Sequence, residues 1–184
     1  MARAGHRRDV PRGRPRTASR VAAVQALFQS EQGGETAETV IDQFLRHRLG
    51  DLPGTAGHDG GFEEGRVPDA DVPMFDRLVR LAVREQDRVD GLLAEALPAD
   101  WPLARLDPVL RALLRAGVAE LLMENGPPPR VVINEYLDVA HGFFSGEEPR
   151  MVNGLLDALS RRLHAREFAG DAADRSHGPG AAEE

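Results

Sequence analysis

The stretch Asp107-Pro108-Val109-Leu110-Arg111-Ala112-Leu113-Leu114-Arg115-Ala116-Gly117-Val118-Ala119-Glu120-Leu121-Leu122 decides the fold. Asp107 offers a side-chain acceptor just before Pro108, the pairing expected of an N-cap and a first helical residue. Leu110, Leu113, Leu114, Gly117, Val118, Leu121 and Leu122 then recur at helical spacing on two sides, until Gly126 and Pro127, Pro128 and Pro129 end the run. A helix apolar on two sides has to be surrounded, so this one is expected at the centre of a helical assembly.

The flanking segments supply its neighbours. Thr17 is a plausible N-cap for a first helix in which Val21, Val24, Leu27 and Phe28 recur until Gly33-Gly34. Thr36 opens a second, with Val40, Ile41, Phe44, Leu45 and Leu49 as its stripe and Gly50 as its stop. Residues 50–70 hold six glycines and two prolines with little periodicity, which predicts a flexible loop. Asp71 is expected to cap one long third helix reaching Pro98, with Phe75, Leu78, Ala82, Val89, Leu92 and Leu93 on one face. Arg77, Arg80, Arg84 and Arg88 lie within about 80° of one another at roughly 100° per residue. That stripe reads as a solvated face neutralised by Asp76, Glu85, Asp87 and Asp90. After the central helix, Val132, Ile133, Tyr136, Leu137 and Ala140 mark a fifth ending near Gly142. A sixth follows Glu147-Glu148-Pro149, with Met151, Val152, Leu155, Leu156, Leu159 and Leu163 on one side. No segment alternates with period two for long enough to form a strand. The expectation is an all-α, compact helical bundle of two small subdomains with six to seven helices, spanning 17–164 between a disordered arm at 1–16 and a frayed acidic tail at 165–184.

Charge is distributed unevenly. Residues 1–20 carry Arg3, Arg7, Arg8, Arg12, Arg14, Arg16 and Arg20 against Asp9 alone, whereas the 184-residue chain stands at −7. A basic arm on an acidic body is a handle for a polyanion, because each phosphate neutralised releases condensed counterions. All 23 basic side chains are arginine, which reads as coding bias first and as a preference for forked phosphate contacts second. Gln25 interrupts the one apolar run near the N-terminus, Val21 to Phe28, leaving neither a secretory core nor a membrane span. With no cysteine, disulfides, thiolate zinc sites and thiol nucleophiles are excluded, and a cytoplasmic location fits.

Signatures of catalysis fail one after another. The histidines at 6, 47, 58, 141, 164 and 177 form no pair at a metal-binding helical spacing, so no metal and no cofactor are expected. The glycines between 54 and 61 follow no strand and precede no Lys-Ser or Lys-Thr, so they are no nucleotide loop. Glu147 and Glu148 favour a helix start more than a division of acid and base roles. Asn134 and Asn153, beside strongly apolar stripes, are expected to bond helix to helix if buried. Gly117 and Gly154, inside helical patterns, are expected where two helices approach closely.

Three segments read together carry a resemblance: Arg20-Val21-Ala22-Ala23-Val24-Gln25-Ala26-Leu27-Phe28; Arg105-Leu106-Asp107-Pro108 through Leu121; and Val131-Val132-Ile133-Asn134-Glu135-Tyr136 with Met151-Val152-Asn153-Gly154-Leu155-Leu156-Asp157. In this order and spacing the chain, over about residues 16–164, resembles the NusB family of transcription antitermination factors. The resemblance implies no enzymatic activity. It implies binding of single-stranded boxA RNA of nascent ribosomal transcripts together with the ribosomal protein NusE, within an RNA polymerase antitermination complex. It implies RNA contacts at Arg12, Arg14, Arg16, Arg20, Gln25 and Phe28, and near the start of the last helix at Glu147, Arg150, Met151 and Asn153. NusE is then expected beside Leu110, Arg111 and Leu114. Ala119, Phe28 and Met151 stand where the family usually carries tyrosine, tyrosine and phenylalanine. Two other readings compete. One is a helical interaction or dimerisation module, able to form a homodimer, whose RNA affinity is incidental. The other is a detached NusB-like domain related to RNA methyltransferases, disfavoured because neither a Rossmann segment nor a nucleophilic cysteine is present.

Overall fold

The computed structural model describes residues 15–49 and 70–165; the arginine-rich arm with Arg12 and Arg14, Gly50 and the loop after it, and the acidic tail lie outside the described residues. Within them the protein is all-α. The helices are α1 (Pro15–Gly33), α2 (Ala37–His47), α3 (Val72–Arg84), α4 (Gln86–Ala96), α5 (Pro108–Leu121), α6 (Pro129–Phe143) and α7 (Glu148–Leu163), with a short 3-10 turn at Leu103–Arg105.

Local chemistry sets most of the boundaries. Thr36 accepts the Thr39 N–H at 3.2 Å and Asp71 that of Met74 at 3.0 Å, while Asp107 takes those of Val109 and Leu110 at 2.8 and 3.2 Å. Past the end of α1, Gly34 sits at φ +64°, the left-handed conformation that closes a helix at little cost only for glycine. Thr17 does not cap α1, which begins at Pro15; its hydroxyl donates instead to Glu135 Oε2 at 2.6 Å. α2 stops before Gly50 because the N–H groups of Arg48 and Leu49 both turn back to Phe44 O at 2.8 Å, and the Arg48 guanidinium settles 4.8 Å from the centre of the Phe44 ring.

The expected long third helix is two helices. Glu85 leaves helical geometry at φ −96°, ψ 15°, and its N–H still closes onto Leu81 O. Packing explains the break. Phe75, Leu78, Val79 and Ala82 of α3 are buried where α3 meets α1, α5 and α2, with Phe75 stacked on Phe44 at 5.5 Å. Val89 and Leu93 of α4 are buried where α4 meets α5 and α7. Both helices pack on α5, but the change of direction at Glu85 lets α4 also reach α7.

α5 occupies the centre, touching α1, α3, α4, α6 and α7. Its Gly117 is needed there: a Cβ would stand 3.2 Å from both δ-carbons of Leu156 and 3.4 Å from Tyr136 Cγ. Helices α1 to α3 and the set α4, α6 and α7 form two groups about α5, yet their buried side chains make one continuous core. Two expectations fail. Asn134 and Asn153 are exposed and so are not buried helix-to-helix links, and a Cβ at Gly154 would meet nothing within 4 Å.

Candidate nucleic-acid interface

The site begins with an arginine that turns inward. Arg20 shares the buried face of α1 with Ala23, Val24 and Leu27, and its side chain is only 2% exposed. Its Nε and Nη2 fork onto Glu120 Oε2 and Oε1 at 2.9 and 2.6 Å, and Nη1 donates to Glu135 Oε2 at 2.8 Å. Burial works against the guanidinium charge, but the hydrogen bonds and charge of Glu120 outweigh it and raise the pKa of Arg20. Arg20, expected to contact RNA, here ties α1 to α5 and α6. Beside it, burial first and the Glu120 charge second push the Tyr136 phenol well above its ordinary range.

One turn earlier, Arg16 is exposed at the root of the arm. Further along α1, Gln25 and Phe28 line a groove of about 560 Å³ with Val24, Gln29, Gln32, Arg48, Val109 and Phe143. Gln25 Oε1 is buried there with no hydrogen-bond partner among the described residues. Phe143, 39% exposed, lies against Phe144 at 6.4 Å between ring centres. Residue patterns missed Phe143. Its signal was an aromatic placed just past the apolar stripe of α6, after Gly142, where the core no longer needs it.

Across the turn from Phe143, the start of α7 makes a second hollow of about 330 Å³. Glu147, Arg150 and Met151 line it with Pro98 and Trp101, and the indole is 44% exposed. The structure thus brings three of the four expected α7 residues together; Asn153 is exposed but does not line this hollow. A single turn, residues 144–147, joins the two hollows in sequence.

The residues expected to meet the partner are engaged within the fold. Leu110 and Leu114 are almost wholly buried in the core. Arg111 is held by Glu31 through Nε at 2.8 Å and by the carbonyls of Leu103 and Leu106, both at 3.2 Å. Arg115 extends this network, forking onto Asp90 at 2.7 and 2.8 Å and reaching Glu31 at 2.8 Å. The four side chains fasten α1, α4 and α5 to the turn before α5. Among the described residues no group of three or more His, Cys, Asp or Glu is placed to hold a metal ion, and no helix is long and apolar enough to cross a membrane.

Comparison with known proteins bears on the chain as a whole. The model of the NusB family matches residues 17–161. A transcription antitermination protein NusB of Granulibacter bethesdensis is 71% identical over 160 residues, covering 87% of this chain and 96% of its own length. Another, of Gluconobacter oxydans, is 59% identical over 154 residues, covering 84% and 91%. Among solved structures, T. maritima NusB superposes with a TM-score of 0.65 at 26% identity, covering 85% of this chain and 98% of that one. A NusB described in complex with NusE and double-stranded RNA shares the fold at 21% identity and a TM-score of 0.60, covering 79% and 96%. With most of its length matched and its helices in the same arrangement, the chain belongs to the NusB family.

Proposed function

We propose that the protein is a non-catalytic transcription antitermination factor that binds single-stranded boxA RNA of nascent ribosomal transcripts. It does so with NusE, as part of an RNA polymerase antitermination complex in the cytoplasm. The observation that carries the reading is the groove along α1, lined by the aromatic side chains of Phe28 and Phe143 together with Gln25, Gln29 and Gln32. Unpaired bases are recognised by this combination, stacking on aromatic rings and hydrogen bonding along their edges. Trp101 and Arg150 at the start of α7 provide a second planar surface and a cation for the neighbouring nucleotide. Arg16 and the arm before it supply the phosphate contacts that give affinity without sequence preference. The relatives named above as antitermination proteins support the same role.

The test is an anisotropy titration of labelled boxA RNA and a scrambled strand of equal length, each with and without NusE. The reading predicts tighter binding of boxA and further tightening by NusE. Equal affinity for both strands under both conditions contradicts it.

A further inference from the structure

Most exposed or half-buried arginines of the described residues are matched to a carboxylate: Arg46 to Asp42, Arg80 to Asp76, Arg84 and Arg88 to Glu85, Arg115 to Asp90, Arg162 to Glu95. The arginine stripe of α3 and α4 is therefore largely the neutralised face that its sequence suggests, with one exception. Arg77 has no carboxylate partner among the described residues, and its Nη2 meets only the Met123 sulfur, at 3.1 Å. Arg16 likewise has none.

Arg16 and Arg77 line the same hollow, about 360 Å³ in volume, between the start of α1, the first turns of α3 and the turn that follows α5. That volume falls in the range of small-ligand clefts, about 300–1,000 Å³. The two acids at its edge are engaged elsewhere. Asp71 caps α3 through the Met74 N–H, and Glu120 is held in the Arg20 fork. Asn125, in left-handed backbone at φ 55°, adds its amide to the wall. Two guanidinium groups with no ion-pair partner among the described residues, lining one concave site at the root of an arginine-rich arm, suit phosphate oxyanions, which each planar fork can bind by paired hydrogen bonds.

We propose that this hollow is a phosphate-binding subsite for the RNA strand, in which Arg16 and Arg77 each hold one of two neighbouring backbone phosphodiesters and carry the strand from the arm onto α3. It rests on the reading of the protein as an RNA-binding factor, and adds to it a contact on a helix to which no RNA role was given. Because the contact is to phosphate, it contributes affinity and salt dependence and no choice of sequence.

The experiment is the salt dependence of single-stranded RNA binding by the full chain and by Arg77→Gln, Arg77→Lys and Arg161→Gln, with boxA and scrambled strands. Arg77→Gln should flatten the log–log slope by about 0.7, the loss of one neutralised phosphate on a single strand, and weaken both strands by the same factor. Arg77→Lys should keep the slope, which separates charge from folding. Arg161→Gln, on an exposed i,i+4 pair with Asp157, should match the wild type. A slope for Arg77→Gln equal to wild type, or a loss confined to boxA, overturns the subsite while leaving the functional reading intact. If the wild-type chain holds neither strand, the functional reading fails and the subsite falls with it.

Discussion

At the scale of single residues, Arg20 shows how the same side chain serves opposite ends depending on which face of a helix it occupies. Four positions before Val24 and seven before Leu27, it lies on the buried stripe of α1, and Glu120 interrupts the apolar run of α5 to meet it. Removing one partner strands the other charge in the core. Arg20→Ala is therefore expected to lower stability by about 3–5 kcal/mol in urea unfolding, whereas the double change Arg20→Met with Glu120→Leu should cost distinctly less than the sum of the single changes. A simple sum would show that the two charges do not depend on each other. Tyr136 gives a pH signature. Its phenol is held above the ordinary value of about 10, so the folded state retains the proton longer than the unfolded chain. Stability from this group is complete below about pH 10 and declines as pH rises past it. Tyr136→Phe should flatten that alkaline limb in a thermal-melt series, and an unchanged limb would assign it to other groups.

Helices are the scale at which the sequence was most readable, and also where it misled. Asp71 and Asp107 cap where an acceptor before an apolar run should cap, and the two-sided apolar pattern of α5 placed it at the centre. The break at Glu85 had no local signal: Arg84, Glu85 and Gln86 all favour helix, and the change of direction there lets α4 also reach α7. The expectations for Thr17 and Asn134 fail for a related reason, since spacing gives the face of a helix and not what the rest of the fold lays against it. The two internal glycines make this measurable. Gly117→Ala should destabilise by about 1–3 kcal/mol, because the new methyl group meets the fully buried Leu156 and Tyr136 and that crowding exceeds any helix-propensity gain. Gly154→Ala, facing open space, should stabilise by up to about 1 kcal/mol. Denaturation midpoints of the two variants moving in the same direction would contradict the packing described for α5.

Across the whole molecule, two ion networks fix α1 against the rest. Arg20 with Glu120 and Glu135 holds its beginning, and Glu31 with Arg111, Arg115 and Asp90 holds its end. Between them the helix carries Gln25 and Phe28, with Arg16 one turn before Arg20. The charge split was legible in the sequence, as was the neighbourhood of Gln25 and Phe28. Phe143 and Trp101 were not, because an exposed aromatic is recognised only once the core has been filled without it. Phe143→Ala is expected to weaken boxA binding by about 1–3 kcal/mol, the contribution of one stacked base, with little change in salt dependence. A loss of slope with no loss of affinity would instead give this ring no stacking role.

The central claim is that a cationic arm on this helical body grips the strand through its phosphates. The most direct measurement compares the salt dependence of single-stranded RNA binding in the full chain and in a variant with Arg12, Arg14 and Arg16 replaced by glutamine. The slope should flatten by about 2, the loss of three neutralised phosphates at about 0.7 each. An unchanged slope in the variant would contradict the account.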